Sequence, residues 1–228
     1  MKTLNTELLV RAYSAGIFPM ADSREASEVF WVEPRRRGII PLDAFHLPRS
    51  LAKTLKSERF SHSINRAFET VITACAEPAP GRRQSWINAS IHEGYCRMHA
   101  AELAHSVEVW DADGRLVGGL YGVHIGAAFF GESMFSRADN ASKAALAHLV
   151  ARLRAGGFTL LDTQFLTNHL AQFGAIEVKR DVYVAALGKA IAGSGDFFAF
   201  GAAEGTAGDG FAGGVSGKAI VQRLSQTS

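Results

Sequence analysis

At 228 residues, 47% of them hydrophobic and with a mean hydropathy of +0.05, the chain carries apolar material for one domain, or one and a half, and is not a disordered tail. Lys and Arg number 24 against 22 Asp and Glu, a net +2, so a nucleic-acid partner has to be met by a local patch and not by the field of the whole molecule. Two cysteines, Cys75 and Cys96, exclude a disulfide framework, the first residues show no basic stretch leading into an apolar one, and no uncharged apolar run reaches the ~18 residues of a membrane span. The expectation is a cytoplasmic protein with no membrane contact.

In chain order, Thr6 to Ala15 reads as a short helix with Leu8, Leu9 and Ala12 on one side, stopped by Gly16. The first 36 residues are too small to fold alone and are expected to lean on the rest of the chain. Residues 35 to 83 then carry ten Lys or Arg against four acids. Within them Arg49, Lys53 and Lys56 fall at i, i+4 and i+7, with Leu51 and Leu55 on another face, which predicts a helix with an outward basic stripe. Ile91 to Leu103 is a further helix. From His105 the period becomes two: His105 to Trp110, Arg115 to Val123 and Ala127 to Gly131 form a meander joined by turns at Asp111–Gly114 and Gly126. A helix bearing Leu146, Leu149, Val150 and Leu153 comes next, with Asp139 or Asn140 as N-cap and Gly156-Gly157 as its stop. Phe158 to Gln164 is then a buried strand, Thr167 to Phe173 a short helix and Ala175 to Val178 a last strand. This order is that of an α+β domain. From Gly193 onward nine glycines and few charges give a tail expected to be mostly flexible, with Ala219 to Leu224 docking. The expected domains are therefore 1–36, 37–192 and 193–228.

Three places carry candidate chemistry. Glu132 directly follows the apolar pair Phe129-Phe130, where a carboxylate either serves a site or pairs with Arg137 or a helix end. The surrounding Gly131-Glu-Ser133 is no hydrolase elbow, because the second glycine is missing. Asp162 and Gln164 stand two apart on a strand, so period two puts an acceptor and an amide on one face, suited to handling an amine; Asp162 capping the next helix or bonding His169 is the alternative. His92, Cys96 and His99 share a helical face, but no further ligand pair of recognised spacing accompanies them, and an ordinary core stripe runs along the same helix.

Taken together the chain resembles the leucyl/phenylalanyl-tRNA–protein transferases. The resemblance rests on Arg11 to Pro19, Phe30-Trp31, Trp86-Ile-Asn88, His105 to Trp110, Gly118 to Gly122, Gly131 to Arg137, Ala141-Ser-Lys143 and Leu161-Asp-Thr-Gln164. It implies an acyl-CoA N-acyltransferase-like domain, with a mixed, largely antiparallel sheet and flanking helices, preceded by a small N-terminal domain. It also implies transfer of Leu or Phe, less readily Met, from Leu-tRNA or Phe-tRNA to proteins beginning with Arg or Lys, which creates a degradation signal, by a monomer without cofactor or metal. Carried over, it makes Asp162 and Gln164 the catalytic pair and Glu132 an active-site carboxylate. Met20, Trp86, Leu120, Phe129 and Leu153 would line the aminoacyl pocket, and Arg49, Lys53 and Lys56 would bind tRNA. Met20 departs from the Trp usual in the family. Where acyl-CoA enzymes of this fold cradle pyrophosphate on glycines, this chain has Ser136-Arg-Ala-Asp-Asn140, with no glycine and an acid, which argues against that cofactor.

Overall fold

The computed structural model describes residues 4–78, 84–202 and 214–226. Its elements are α1 (Thr6–Ser14), β1 (Phe18–Met20), β2 (Phe30–Val32), β3 (Arg36–Ile40), α2 (Arg49–Lys56), β4 (Ser61–Ile64), α3 (Phe68–Ala76) and α4 (Ala89–Ala100), then the meander β5 (Ala104–Trp110), β6 (Leu116–Ile125) and β7 (Ala128–Ser136). After the meander come α5 (Ala141–Ala155), β8 (Leu160–Gln164), α6 (Asn168–Ala171), β9 (Ile176–Lys179), α7 (Arg180–Ile191), the single turn α8 (Ala199–Ala202) and α9 (Gly217–Ser225). Among the described residues the strands form a two-stranded ribbon, β1-β2, and a seven-stranded sheet in the order β4-β5-β6-β7-β8-β3-β9. Each neighbouring pair in the sheet is antiparallel except β7 and β8, which are parallel and joined through α5.

Alternation along the strands builds a core on each face of this sheet. Leu120 and Phe129 face Leu146, Leu149, Val150 and Leu153 of α5, together with Leu51 and Leu55 of α2 and Ile220 of α9. Their chain neighbours Tyr121 and Phe130 face Val71 and Ile72 of α3, Ile91, Tyr95 and Met98 of α4, and Tyr183 and Leu187 of α7. The mixed, largely antiparallel sheet with flanking helices is the α+β arrangement expected.

Several expectations change in detail. On α1 the buried residues are Leu9 and Tyr13, while Leu8 is 40% exposed, because the helix turns its i, i+4 pair inward. The N-terminal segment shares its core with α4 and α7: Leu4, Leu9, Tyr13 and Phe18 belong to the same cluster as Tyr95 and Tyr183. The third meander strand runs on to Ser136 and does not end at Gly131, so Glu132 lies inside β7. The strands β3 and β4 and the helices α3 and α7 add to the elements expected.

The Gly-rich C-terminal segment is fixed at both described ends. Phe197, 1% exposed, stacks on His105 at 4.1 Å and on Phe129 at 5.6 Å between centroids, and its carbonyl accepts a bond from Arg152 Nη1 at 2.8 Å. Helix α9 docks Ile220, Val221 and Leu224 against α2 and α5, so the docking expected for 219–224 is observed; the residues between 203 and 213 lie outside the described part. Gly217 is tied to this packing, since a Cβ there would stand 2.1 Å from the Leu55 carbonyl. Phe197→Ala is expected to cost ~3–5 kcal/mol, read as a lowered midpoint in urea denaturation. A loss under ~1 kcal/mol would show that the segment does not belong to the core.

Candidate active site

The site begins where β7 and β8 part. Their parallel pairing stops at Phe130 and Asp162. Immediately beyond it each strand holds one residue without a partner: Glu132 on β7, where the register with β6 jumps from Ser133 to Gly131, and Thr163 on β8, where the register with β3 jumps from Gln164 to Asp162. Such bulges bend a strand and re-aim its side chains. Gln164 completes the bend with a left-handed φ of 59°, and Gly38 opposite it is needed because a Cβ would meet the Phe165 carbonyl carbon at 2.6 Å.

The wedge so opened holds a cavity of about 350 Å³. Leu120, Met134, Leu146, Leu149, Leu161 and Leu170 make its apolar wall together with Met20 and Trp86, and its polar residues include Glu132, Ser133, Thr163, Gln164, Thr167 and His169. Met20, Trp86 and Leu120, three of the residues expected at an aminoacyl pocket, line this cavity. Phe129 and Leu153 do not line the cavity: both are fully buried in the α5-side core, Phe129 against Phe158 and Phe197. Leu146 and Leu149, two turns and one turn before Leu153, reach the wedge in their place, because the cavity opens only beyond the point where β7 and β8 separate.

Glu132 is joined to both sides of the wedge. Its Oε1 accepts from Gln164 Nε2 at 2.9 Å and its Oε2 from the Tyr95 hydroxyl at 3.0 Å; Tyr95 is bonded in turn to the Tyr13 hydroxyl. Arg137, the alternative partner for Glu132, pairs with Glu77 instead. Burial pushes the Glu132 carboxyl up to about 7, against the opposing pull of the Tyr13 and Tyr95 hydroxyls, with Asp162 adding to the rise and Arg37 opposing it. Because an ionised carboxylate only accepts, the Gln164 amide nitrogen must face it.

Asp162 is placed differently from the expectation. It is fully buried and absent from the cavity wall, and its oxygens are occupied by the Arg37 guanidinium at 2.7–3.1 Å, the Tyr183 hydroxyl at 2.6 Å and the Gln164 backbone N–H at 2.8 Å. The two side chains do not share one space, since the bulge and the left-handed Gln164 break the alternation that period two assumes. Asp162 neither caps α6, which Thr167 does, nor bonds His169. Burial pulls the Arg37 guanidinium down and Asp162 more than offsets it, while burial and Asp162 together hold the Tyr183 phenol well above its ordinary range. Arg37, 1% exposed, also donates to the Gly16 carbonyl at 2.9 Å and lies over the Phe18 and Tyr183 rings. In the sequence Arg37 is hidden in a run of three arginines that reads as a surface patch. Tyr13 had a visible signal, lying four residues after Leu9 on the buried side of α1.

The basic stripe forms as expected: Arg49, Lys53 and Lys56 are exposed along α2 while Leu51 and Leu55 are buried. Asn140 Nδ2 bonds Thr54 Oγ1 at 3.4 Å, linking α2 to the start of α5, the helix that supplies Leu146 and Leu149 to the cavity. Of the cysteine–histidine face on α4, His92 bonds Thr73 and Cys96, and His99 bonds the Ala104 carbonyl. Among the described residues no group of three or more His, Cys, Asp or Glu is arranged to hold a metal, and no helix is long and apolar enough to cross a membrane.

A family model described as leucyl/phenylalanyl-tRNA protein transferase matches residues 39–188, and one for the N-terminal domain of the same family matches residues 2–35. The chain belongs to the leucyl/phenylalanyl-tRNA–protein transferase family. Relatives bearing that name include one from Rhizorhabdus wittichii, 54% identical with all of both chains covered. Others come from Phenylobacterium zucineum, 53% identical over 96% of each chain, and from Paramagnetospirillum magneticum, 56% identical over 84% of this chain and 91% of the relative. The solved structure of L-PGS from Bacillus licheniformis overlaps 73% of this chain and 55% of its own at 14% identity and a TM-score of 0.41.

The Arg37–Asp162 pair gives a test of its own. Asp162→Ala strands a buried guanidinium and is expected to destabilise the protein by ~3–5 kcal/mol, whereas Gln164→Ala, which removes a group from the cavity wall, is expected to cost no more than ~1 kcal/mol. Thermal and urea melts of the two variants check this, and equal stabilities would contradict the assignment of Asp162 to the frame behind the cavity.

Proposed function

We propose that the protein moves Leu or Phe, and less readily Met, from Leu-tRNA or Phe-tRNA to the α-amine of proteins that begin with Arg or Lys, marking them for degradation, and that it does so as a cytoplasmic monomer without cofactor or metal. The observation that carries this reading is one apolar cavity of side-chain size whose end is formed by Glu132 and Gln164. Membership of the family supplies the reaction class. The scaffold is read as an acyl-CoA N-acyltransferase-like sheet, a reading supported by the parallel β7/β8 pair parting around a cavity, with an N-terminal domain over 1–36, a catalytic domain over 37–192 and a C-terminal segment over 193–228.

The aminoacyl ester is already activated, so its exchange for an amide runs downhill, and the protein has to position and to handle protons. The donor's side chain enters between Leu146, Leu149 and Met134, leaving its ester carbonyl beside Gln164. With the Gln164 nitrogen committed to Glu132, its amide oxygen is available to accept an N–H of the incoming amine. Asp162 acts from behind, its bond to the Gln164 backbone fixing the left-handed turn that aims this side chain. The amine attacks the carbonyl carbon, the C–N bond forms, and the C–O bond to the ribose breaks with the 3′ oxygen leaving as a hydroxyl. Glu132 attracts the cationic acceptor to this end of the cavity. Arg49, Lys53 and Lys56 contact tRNA phosphates, which add affinity and no sequence reading.

The deciding experiment is incubation with Phe-tRNA or Leu-tRNA and peptides beginning with Arg or Ala, followed by mass spectrometry. Addition of one Phe or Leu residue to the Arg peptide alone is expected; its absence, or acetylation from acetyl-CoA, would overturn the reading. Because an apolar pocket discriminates by volume at ~1–3 kcal/mol per methylene, Leu146→Phe should lower Phe transfer relative to Leu transfer by about tenfold in donor competition. Arg49→Ala combined with Lys53→Ala should reduce the log–log salt slope of tRNA binding by about 2. Titrations at several salt concentrations read this, and an unchanged slope would move the tRNA off α2.

A further inference from the structure

The α-ammonium of an acceptor must lose a proton before it can attack, and the structure offers three groups near the cavity for it. Asp162 is enclosed, with donors from Arg37, Tyr183 and Gln164 already on its oxygens. His169 lines the cavity, but no hydrogen bond joins it to Glu132 or Gln164, and burial and Lys143 hold it below its ordinary value, which weakens it as a base. Glu132 lies on the cavity wall with its carboxylate bonded to Gln164, the residue that meets the amine.

We propose that Glu132 takes the proton of the acceptor's α-ammonium, and that Tyr13 and Tyr95 are positioning residues that hold its carboxylate for this task. The proposal rests on the aminoacyl-transfer reading above. Tyr95 spends its one proton on Glu132 Oε2, so the Tyr13 hydroxyl donates to Tyr95, and a chain of two donors runs from the N-terminal helix α1 through α4 to the bulge of β7. Burial, first of all, and Glu132 hold both phenols well above their ordinary range, so both keep their protons and a proton taken up by Glu132 returns through the cavity. The ionisable groups facing Glu132 are these two phenols, Tyr121 of β6, Tyr183 of α7, Arg37 of β3 and Asp162 of β8.

In balance, the first proton of the ammonium passes to Glu132, leaving a neutral amine. That amine forms the C–N bond, its second proton goes to the departing 3′ oxygen, and the proton on Glu132 returns to water. A base near 7 matches an α-amine of pKa roughly 7.7–8.0, so neither transfer is far uphill.

The test is the pH dependence of kcat between pH 6 and 8.5 at saturating Phe-tRNA and Arg peptide, for the wild-type protein, Tyr95→Phe, Tyr13→Phe and Glu132→Gln. Glu132 works ionised, so activity rises with pH through its titration, and removing a donor to the carboxylate must move that limb upward. Tyr95→Phe is expected to shift the limb by on the order of one pH unit, with kcat recovering to within a few-fold at high pH. Tyr13→Phe should shift it in the same direction, and carries the test if Tyr95→Phe fails to fold. Glu132→Gln should lose the limb and at least about 100-fold in kcat. Limbs unmoved in both tyrosine variants, or a wild-type limb in Glu132→Gln, would overturn the proposal while leaving the proposed function in place. Absence of transfer by the wild-type protein would remove both.

Discussion

A parallel strand pair that is held together for three residues and then forced apart is the constraint on which the site depends. The ladder between β7 and β8 ends at Phe130 and Asp162, and the next residues of each strand include one that no neighbouring strand pairs with. A regular ladder would have zipped the wedge shut and left Glu132 and Thr163 facing backbone. The two bulges keep it open, and the unused width becomes the cavity. What prevents the open end from collapsing is polar and deeply set: the Gln164 to Glu132 bond spans the gap, and the Asp162 carboxylate holds the turn behind it.

Asp162 brings a cost with it, since a carboxylate without water is tolerable only when its lone pairs are filled. Arg37, Tyr183 and the Gln164 N–H fill them, and each comes from a different part of the chain: β3, α7 and β8 itself. The Arg37 guanidinium extends the arrangement to the Gly16 carbonyl and the Phe18 ring in the N-terminal segment. That segment is too short to hold a core alone, and it shares one with α4 and α7. Through Tyr13 it reaches Glu132 as well, so the first helix is wired into the site from two directions.

Elements with a single clear period were legible in the sequence: α1, α2, α4, the meander and α5 follow from spacing and from Gly or Pro punctuation, and the basic stripe on α2 forms as read. By its sequence the third meander strand ends at Gly131, because the bulge at Glu132 interrupts alternation and places Glu-Ser where a strand would show an apolar residue. The same interruption on β8 explains why Asp162 and Gln164 do not point into one space. The resemblance places Phe129 and Leu153 at the aminoacyl pocket, whereas the wedge opens past them and Leu146 and Leu149 line it. Arg37 stayed invisible because burial of one arginine in a run of three is decided by a partner 125 residues away, which no local pattern encodes.

In the proposed mechanism the wedge between β7 and β8 receives the amino acid of the donor. A crystal structure with adenosine carrying phenylalanine through a non-hydrolysable 3′-amide tests it most directly. The phenyl ring is expected among Leu146, Leu149 and Met134, with the amide carbonyl beside Gln164 and Asp162 still closed behind it on Arg37. A ring seated elsewhere, for instance in the polar groove of Ser136 to Lys143 at the start of α5, would contradict it.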